Sequence, residues 1–417
     1  MDARKPVILG YDAVSPLGTD MTRQWQRAVA GESGIGELTR FPLREGFPVR
    51  IAGQVEAFDA SPYPFLSARA LAQWPSPIFR HALLVVHRAL RESGLEVTPE
   101  IAPRVAVTFG SAIGGLDAVI AADRLLAATG KLPHPFTNPN SCINMVGGKV
   151  SMLTRATGPI VSPITACATG ATSLIAGALF LAQGMADVAI CGAVDFPLVE
   201  PIVAGFATMN GAYRPRAGRP APPPGEASCP FSVGRRGFVV SEGAACIVIA
   251  TEAFAKAHGL GYPVKMAGWS MTADAYHFVA PNPVTVRRCM QESIDSAGIQ
   301  PVDVDAVNAH GTSTRIGDRV EADALKDVFS GRPVPPVSAN KSQIGHAMGA
   351  SSALEIVLAL EGMRRNVALP TINYAPDPEI EMDCVPEGAR GLAQEFLLKN
   401  AFGFGGCNAC IVFRKVQ

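Results

Sequence analysis

Ile164-Thr165-Ala166-Cys167-Ala168-Thr169-Gly170-Ala171-Thr172-Ser173-Leu174 is a run of small and β-branched residues that opens a largely apolar stretch reaching Val194. It reads as a turn from a strand into a helix that must pack closely. The turn puts a thiol at or near a helix N-terminus, where the backbone dipole favours thiolate and makes a usable nucleophile. On this stretch alone a buried, inert cysteine is an equal reading. Thr169 to Val194 is rich in Ala, Gly, Leu and Ile, but Gln183 and Asp187 interrupt it. A buried helix followed by a buried strand therefore accounts for it better than a membrane span of ~20 uninterrupted apolar residues.

Working outward, the short apolar runs Arg104 to Phe109, Asp187 to Cys191 and Ala245 to Ile249 alternate with helical stretches such as Arg80 to Glu92 and Pro283 to Ala297. Such alternation predicts an α/β fold whose sheets are covered on both faces. A chain of 417 residues is too long for one ordinary core and suits two fused lobes. Arg214 to Pro230 holds Pro215, Pro220, Pro222, Pro223, Pro224 and Pro230, which predicts an ordered but irregular surface loop inside a domain. A more natural seam lies near Thr251 to Gly261.

Lys plus Arg and Asp plus Glu stand at 36 each, which gives no footprint for nucleic acid. Only 17% of residues are charged and 48% are hydrophobic, so much of the chain must be buried, partly in a subunit interface. The nine cysteines form no second CxxC-like pair beside Cys407 and Cys410. Their odd number, with the charged start Asp2, Arg4 and Lys5 in place of a secretory leader, predicts a reducing cytoplasm.

Three further stretches carry chemistry. Val307-Asn308-Ala309-His310-Gly311-Thr312-Ser313-Thr314 is an apolar strand end opening into a polar loop, which holds an imidazole beside hydroxyls able to bind a polar ligand arm. Lys341-Ser342-Gln343-Ile344-Gly345-His346 precedes the apolar helix Ser352 to Leu360, so the helix dipole is expected to keep His346 neutral and a hydrogen-bond donor. Glu355 on that helix is placed to pair with Lys341. Finally, Phe402-Gly403-Phe404-Gly405-Gly406 permits a tight turn whose amides could face a developing oxyanion. Taken singly, each has a bland reading: a structural histidine, a solvated ion pair, an ordinary glycine turn.

The order Cys167, His310, Lys341, His346 and the closing Phe402 to Gly406 resembles the elongating β-ketoacyl-[acyl-carrier-protein] synthases of the thiolase superfamily, and the resemblance spans nearly the whole chain. It implies a five-layered αβαβα sandwich of two pseudo-symmetric halves, residues 1–252 carrying the nucleophile and 253–417 carrying the two histidines and the lysine. It also implies a dimer. By the same resemblance Cys167 takes an acyl group from acyl carrier protein, and His310 and His346 bind the malonyl thioester carbonyl and stabilise the enolate left by decarboxylation. Lys341 with Glu355 orders the site, and the amides of Cys167 and Phe404 form an oxyanion hole. Phe404 gates a pocket bounded by Phe402, Thr312 and Thr314 contact the pantetheine arm, and Ile113 lines the acyl tunnel. No metal or organic cofactor is implied, although the resemblance allows a structural monovalent cation near Asn400.

Some positions depart from the family pattern. Thr137 and Asn138 stand where large apolar residues close the acyl pocket. Residues 62–71 are poor in the basic groups that grip an acidic carrier protein, which shifts docking to Arg214, Arg216 and Arg219 or to a partner subunit. Ser232 follows Pro230-Phe231 in place of an acidic residue, and Cys407 replaces a threonine. These departures keep a second reading open, the ketosynthase subunit of a secondary-metabolite heterodimer with a chain-length factor. A chain-length factor itself would lack the cysteine. A thiolase would use a second cysteine as base, and a starter synthase would pair histidine with asparagine.

Overall fold

A computed structural model describes residues 5–215 and 221–416. The first half contains strands β1 (Pro6–Val14), β2 (Val105–Gly110), β3 (Ile160–Val161), β4 (Val188–Asp195) and β5 (Gly243–Thr251). Its longer helices are α1 (Pro77–Ser93), α2 (Leu116–Thr129), α3 (Asn144–Thr154) and α4 (Thr169–Ala182). The second half contains β6 (Val264–Ala273), β7 (Ala306–Asn308), β8 (Val337–Ser338), β9 (Phe396–Gly403) and β10 (Cys407–Lys415). Its helices are α5 (Pro283–Ala297), α6 (Arg315–Val328) and α7 (Ser351–Arg365).

The two halves repeat one topology. The first runs β3-β2-β4-β5-β1 and the second β8-β7-β9-β10-β6. In each, the two pairings nearest the free edge are parallel and the two nearest the junction of the halves are antiparallel. They join where β1 meets β6 through only Val7 with Lys265 and Ile8 with Val264. Helices α1 and α3 cover the first sheet from outside, α5 and α6 cover the second, and α4 packs on α7 between the sheets. This is the five-layered αβαβα sandwich that the family resemblance implies.

Local sequence explains why these elements form. Helix α5 starts at Asn282, whose side chain caps Val284 N–H, has Pro283 in its first turn, and stops at left-handed Gly298. Strands β4 and β5 are buried at every residue, as continuous apolar runs covered on both faces must be. The Thr169 to Val194 stretch is a buried helix followed by a buried strand, and among the described residues no helix is long and apolar enough to cross a membrane. Helices α4 and α7 approach so closely that a Cβ on Gly170 would lie 2.4 Å from Ala353 N. That contact brings the two helix N-termini, and with them the site, together at the molecular centre.

Candidate active site

The pseudo-symmetry places two equivalent turns at the start of the central helices. The turn Ala166–Ala168 precedes α4 and the turn Met348–Ala350 precedes α7. Each begins on a non-glycine residue with positive φ, 48° at Ala166 and 46° at Met348. Such backbone is strained and survives where surrounding structure enforces it. The first turn presents Cys167, while its counterpart position is Gly349, so a thiol stands on one side of the pseudo-axis alone. Ser352, on α7, donates its hydroxyl to Cys167 O at 3.1 Å and accepts from Ala171 N–H, tying the turns to each other.

Cys167, His310 and His346 converge, with Sγ and one ring nitrogen of each histidine all within 4.8 Å of one another. His346 Nε2 lies 3.0 Å from Cys167 Sγ. His346 Nδ1 accepts the Met348 N–H at 3.1 Å and sits 2.8 Å from Ser351 Oγ, which fixes the ring proton on Nε2. His310 follows β7, and Lys341 Nζ stands 3.5 Å from its Nδ1 and 2.6 Å from its main-chain oxygen. An ammonium can only donate, so the His310 proton is also on Nε2. The two rings face each other edge-on with centroids 5.9 Å apart.

Burial holds both imidazoles neutral. The pKa values of His310 and His346 lie well below the ordinary histidine range, first through desolvation and next through the Lys341 charge. The helix dipole invoked from sequence is thus joined by two further causes. For Cys167 burial works against the dipole-favoured thiolate expected from sequence. Burial pushes the thiol up to about 11, although Lys341 and a hydrogen bond from the Phe404 N–H pull it down.

Lys341 and Glu355 form a fully buried ion pair. Glu355 also accepts from a second buried ammonium, Lys399, at 2.5 Å. Sequence reasoning missed Lys399, although a lysine inside the apolar run Phe396 to Phe402 is a signal that a buried partner is required. It also missed Glu321, which accepts the N–H groups of His310 and Gly311 at 2.8 Å and so orients the histidine loop. Asp195 was missed as well. Its carboxylate gathers Ser111 Oγ and the N–H groups of Ala112, Ile113 and Gly349.

These groups open onto a cavity of about 550 Å³ lined by Cys167, both histidines, Phe402, Phe404, Thr312 and Thr314, among others. Thr312 and Thr314 share a hydroxyl contact of 2.8 Å on its wall. Phe238 packs edge-on to the His346 ring and tilts against Phe404. Lys341 and Glu355 lie behind the lining rather than in it. Ile113, Thr137 and Asn138 do not line this cavity either. Ile113 and Phe404 both pack against the hydrophobic cluster that holds Met348 and Phe238, and Thr137 and Asn138 begin a short helix packed beside α2. Of the basic residues assigned to docking, Arg214 is half-buried, and Arg216 and Arg219 lie outside the described residues.

The fold and this geometry have clear relatives. The family descriptions "Beta-ketoacyl synthase, N-terminal domain" and "Beta-ketoacyl synthase, C-terminal domain" match residues 4–255 and 264–375. A 3-oxoacyl-[acyl-carrier-protein] synthase 2 of Coxiella burnetii is 38% identical over 100% of both chains. A type II polyketide ketosynthase, solved with its acyl-carrier protein and bound to the hexaketide, superposes with TM-score 0.90 at 26% identity, covering 99% of this chain and 100% of that one. The ishigamide ketosynthase/chain length factor superposes with TM-score 0.89 at 26% identity over 100% of both chains. With a thiol and two neutral imidazole donors assembled in one buried pocket at the centre of this sandwich, the chain belongs to the β-ketoacyl synthase family.

Proposed function

We propose that this enzyme joins an acyl group carried on Cys167 to malonyl-acyl carrier protein, releasing carbon dioxide and a 3-oxoacyl thioester two carbons longer. The observation that carries the reading is the pair of Nε2–H donors, on His310 and His346, beside the Cys167 sulfur. In the first half-reaction Cys167 attacks the acyl thioester, and its proton ends on the departing carrier thiolate. That exchange supplies the acceptor a thiol with a raised pKa needs. The N–H groups of Cys167 and Phe404 would hold the tetrahedral oxyanion, a kind of contact worth ~10²-fold or more in rate.

In the second half-reaction the malonyl thioester oxygen accepts from both histidines. The carbon–carboxylate bond breaks, carbon dioxide leaves, and the electron pair becomes an enolate that two neutral donors stabilise. The enolate carbon attacks the acyl carbonyl, and collapse expels the Cys167 sulfur. Lys341 and Glu355 hold the His310 side of the pocket, Thr312 and Thr314 receive the pantetheine arm, and Phe402 and Phe404 bound and gate the acyl end. Ile113, behind Phe404, would line the deeper tunnel.

The chain would divide near residue 252 into two thiolase-like halves. It would work in the cytoplasm, with acyl carrier protein as donor and acceptor, in fatty-acid or polyketide synthesis. Its partner subunit would be a second copy or a chain-length factor of the same fold. One observation favours a partner subunit of some kind: the edge strand β3 exposes Ile160 and Val161, and α2 exposes Leu116, Val119, Leu125 and Leu126. Thr137 and Asn138 pack beside α2 and would meet the acyl pocket from that interface.

The test incubates wild type and Cys167→Ala with acyl carrier-protein thioesters of several chain lengths, adds malonyl carrier protein, and reads intact masses. Acylation of wild type alone with an elongated product supports the proposal. Acylation without elongation assigns the chain to a heterodimer, and no acylation by any chain overturns the reading.

A further inference from the structure

Lys399 aims its ammonium into a cage of oxygens. Nζ lies 2.5 Å from Glu355 Oε2, 2.8 Å from Asn400 O and 3.3 Å from Ala309 O, and the side chain is 0% exposed. One carboxylate and two carbonyls around a single point is the donor set that holds a dehydrated monovalent cation. The family resemblance allows such a cation near Asn400, but these residues do not fit one. The Asn400 carbonyl is taken by Lys399, its Nδ2 donates to Glu321 at 3.1 Å, and its Oδ1 faces Cys410 Sγ at 3.4 Å. A cation placed there would meet a buried ammonium at contact distance.

We propose that the Lys399 ammonium is a tethered replacement for a bound monovalent cation, and that through Glu355 and Lys341 it positions His310. The chain of contacts is continuous. Lys399 fixes one carboxylate oxygen of Glu355, the other oxygen pairs with Lys341, and Lys341 reaches both the main-chain oxygen and the Nδ1 of His310. Lys399 does not line the cavity, so it is a positioning residue. With Lys399 absent, Glu355 would keep one ammonium for two buried oxygens and could swing, carrying Lys341 off the histidine. Removing the long side chain would also leave an oxygen-lined hole that a small cation can enter.

The inference rests on His310 acting in the malonyl half-reaction, so its test reads the two half-reactions separately. Full-length wild type and Lys399→Ala are assayed at one ionic strength in potassium, sodium, ammonium or tetramethylammonium chloride, the last being too large to enter. Cys167 acylation, malonyl decarboxylation and the thermal unfolding midpoint are each measured. Wild type is expected to be indifferent to the cation in all three.

Lys399→Ala is expected to acylate normally, to lose decarboxylation roughly tenfold or more in tetramethylammonium, and to recover it with a higher midpoint in potassium or ammonium. A wild type stabilised or activated by one small cation overturns the proposal, as does a folded variant that is equally active, or equally dead, in every salt. If Lys399→Ala does not fold in any salt, the wild-type salt series still decides. Failure of acylation in wild type would instead count against the condensation reading itself.

Discussion

His346 Nε2 stands 3.0 Å from Cys167 Sγ although the two residues belong to opposite halves of the fold, Cys167 within the turn before α4 and His346 two residues ahead of the symmetry-related turn before α7. The Met348 N–H on Nδ1 makes the ring a donor toward the sulfur rather than a base. Replacement should therefore spare the step in which sulfur is acylated and damage the step that needs a donor to the enolate. His346→Ala is expected to acylate within about tenfold of wild type and to lose condensation by ~10²-fold or more. Rapid-quench measurement of each step checks this, and an equal loss in both would assign His346 to general-base catalysis.

Gly403 sits where no side chain fits. A Cβ there would lie 2.4 Å from Thr165 O and 3.3 Å from Cys167 N. Gly403→Ala must push the Thr165 carbonyl, and with it the strained Ala166 turn, away from the Phe404 amide. The expected result is a folded protein with unchanged carrier-protein affinity and an acylation rate lowered ~10²-fold. Near-normal acylation would mean that the turn yields at little cost.

Asp195 links the halves from the other direction. Its Oδ1 takes Ser111 Oγ and Ile113 N–H, and its Oδ2 takes Ala112 N–H and Gly349 N–H, so every contact on it is a donor. Asp195→Asn would turn an amide NH₂ against one such pair. A loss of about 3 kcal/mol or more in unfolding free energy is expected, since a buried unsatisfied donor costs about 1–3 kcal/mol and two are made here. Urea denaturation reads it directly, and a change under 1 kcal/mol would contradict the bonding pattern.

What sequence could reveal of all this follows from how local each signal is. Both ends of α5 carry their own cap, so Pro283 to Ala297 is legible to the residue. The Cys167 turn announces its helix through small residues, and the ion pair of Lys341 with Glu355 follows from an ionisable residue in an apolar helix. Lys399 and Asp195 are different. Each ends up bonded to groups from distant segments, for Lys399 Ala309 and Glu355, for Asp195 Ser111 and Gly349. No spacing rule joins such positions. The raised pKa of Cys167 was also beyond reach, because the dipole is written in the chain and the extent of burial is not. The internal symmetry that aligns Ala166 with Met348 is a match of backbone shape in which only the alanines Ala168 and Ala350, and Ala171 and Ala353, repeat across the aligned turns and first helical residues.

Both site histidines are held neutral, and this sets a pH dependence. A histidine whose folded pKa lies below 6.5 binds fewer protons folded than unfolded in the window between the two values. Each such group therefore makes the folded state lose stability as pH falls through 6.5, by about 1.4 kcal/mol per pH unit. Asp318 and Asp195 oppose them. Burial raises their pKa values to about 7 and about 6, so each gains a proton in the folded state first and favours folding as pH falls. Buried His81 adds to the histidine side and buried Asp12 to the carboxylate side, so the wild-type curve is a mixture of opposing contributions. The histidine contribution appears in a difference. His346→Gln removes one neutral imidazole and neither carboxylate, so its stability relative to wild type should rise steadily as pH drops from 6.5 to 5. Over the same interval neither histidine donor changes its protonation, so a change in the decarboxylation rate per folded wild-type molecule would report Asp195 or Asp318. Parallel urea titrations and single-turnover assays at matched pH check both. A stability difference independent of pH would mean that the His346 imidazole titrates in its ordinary range.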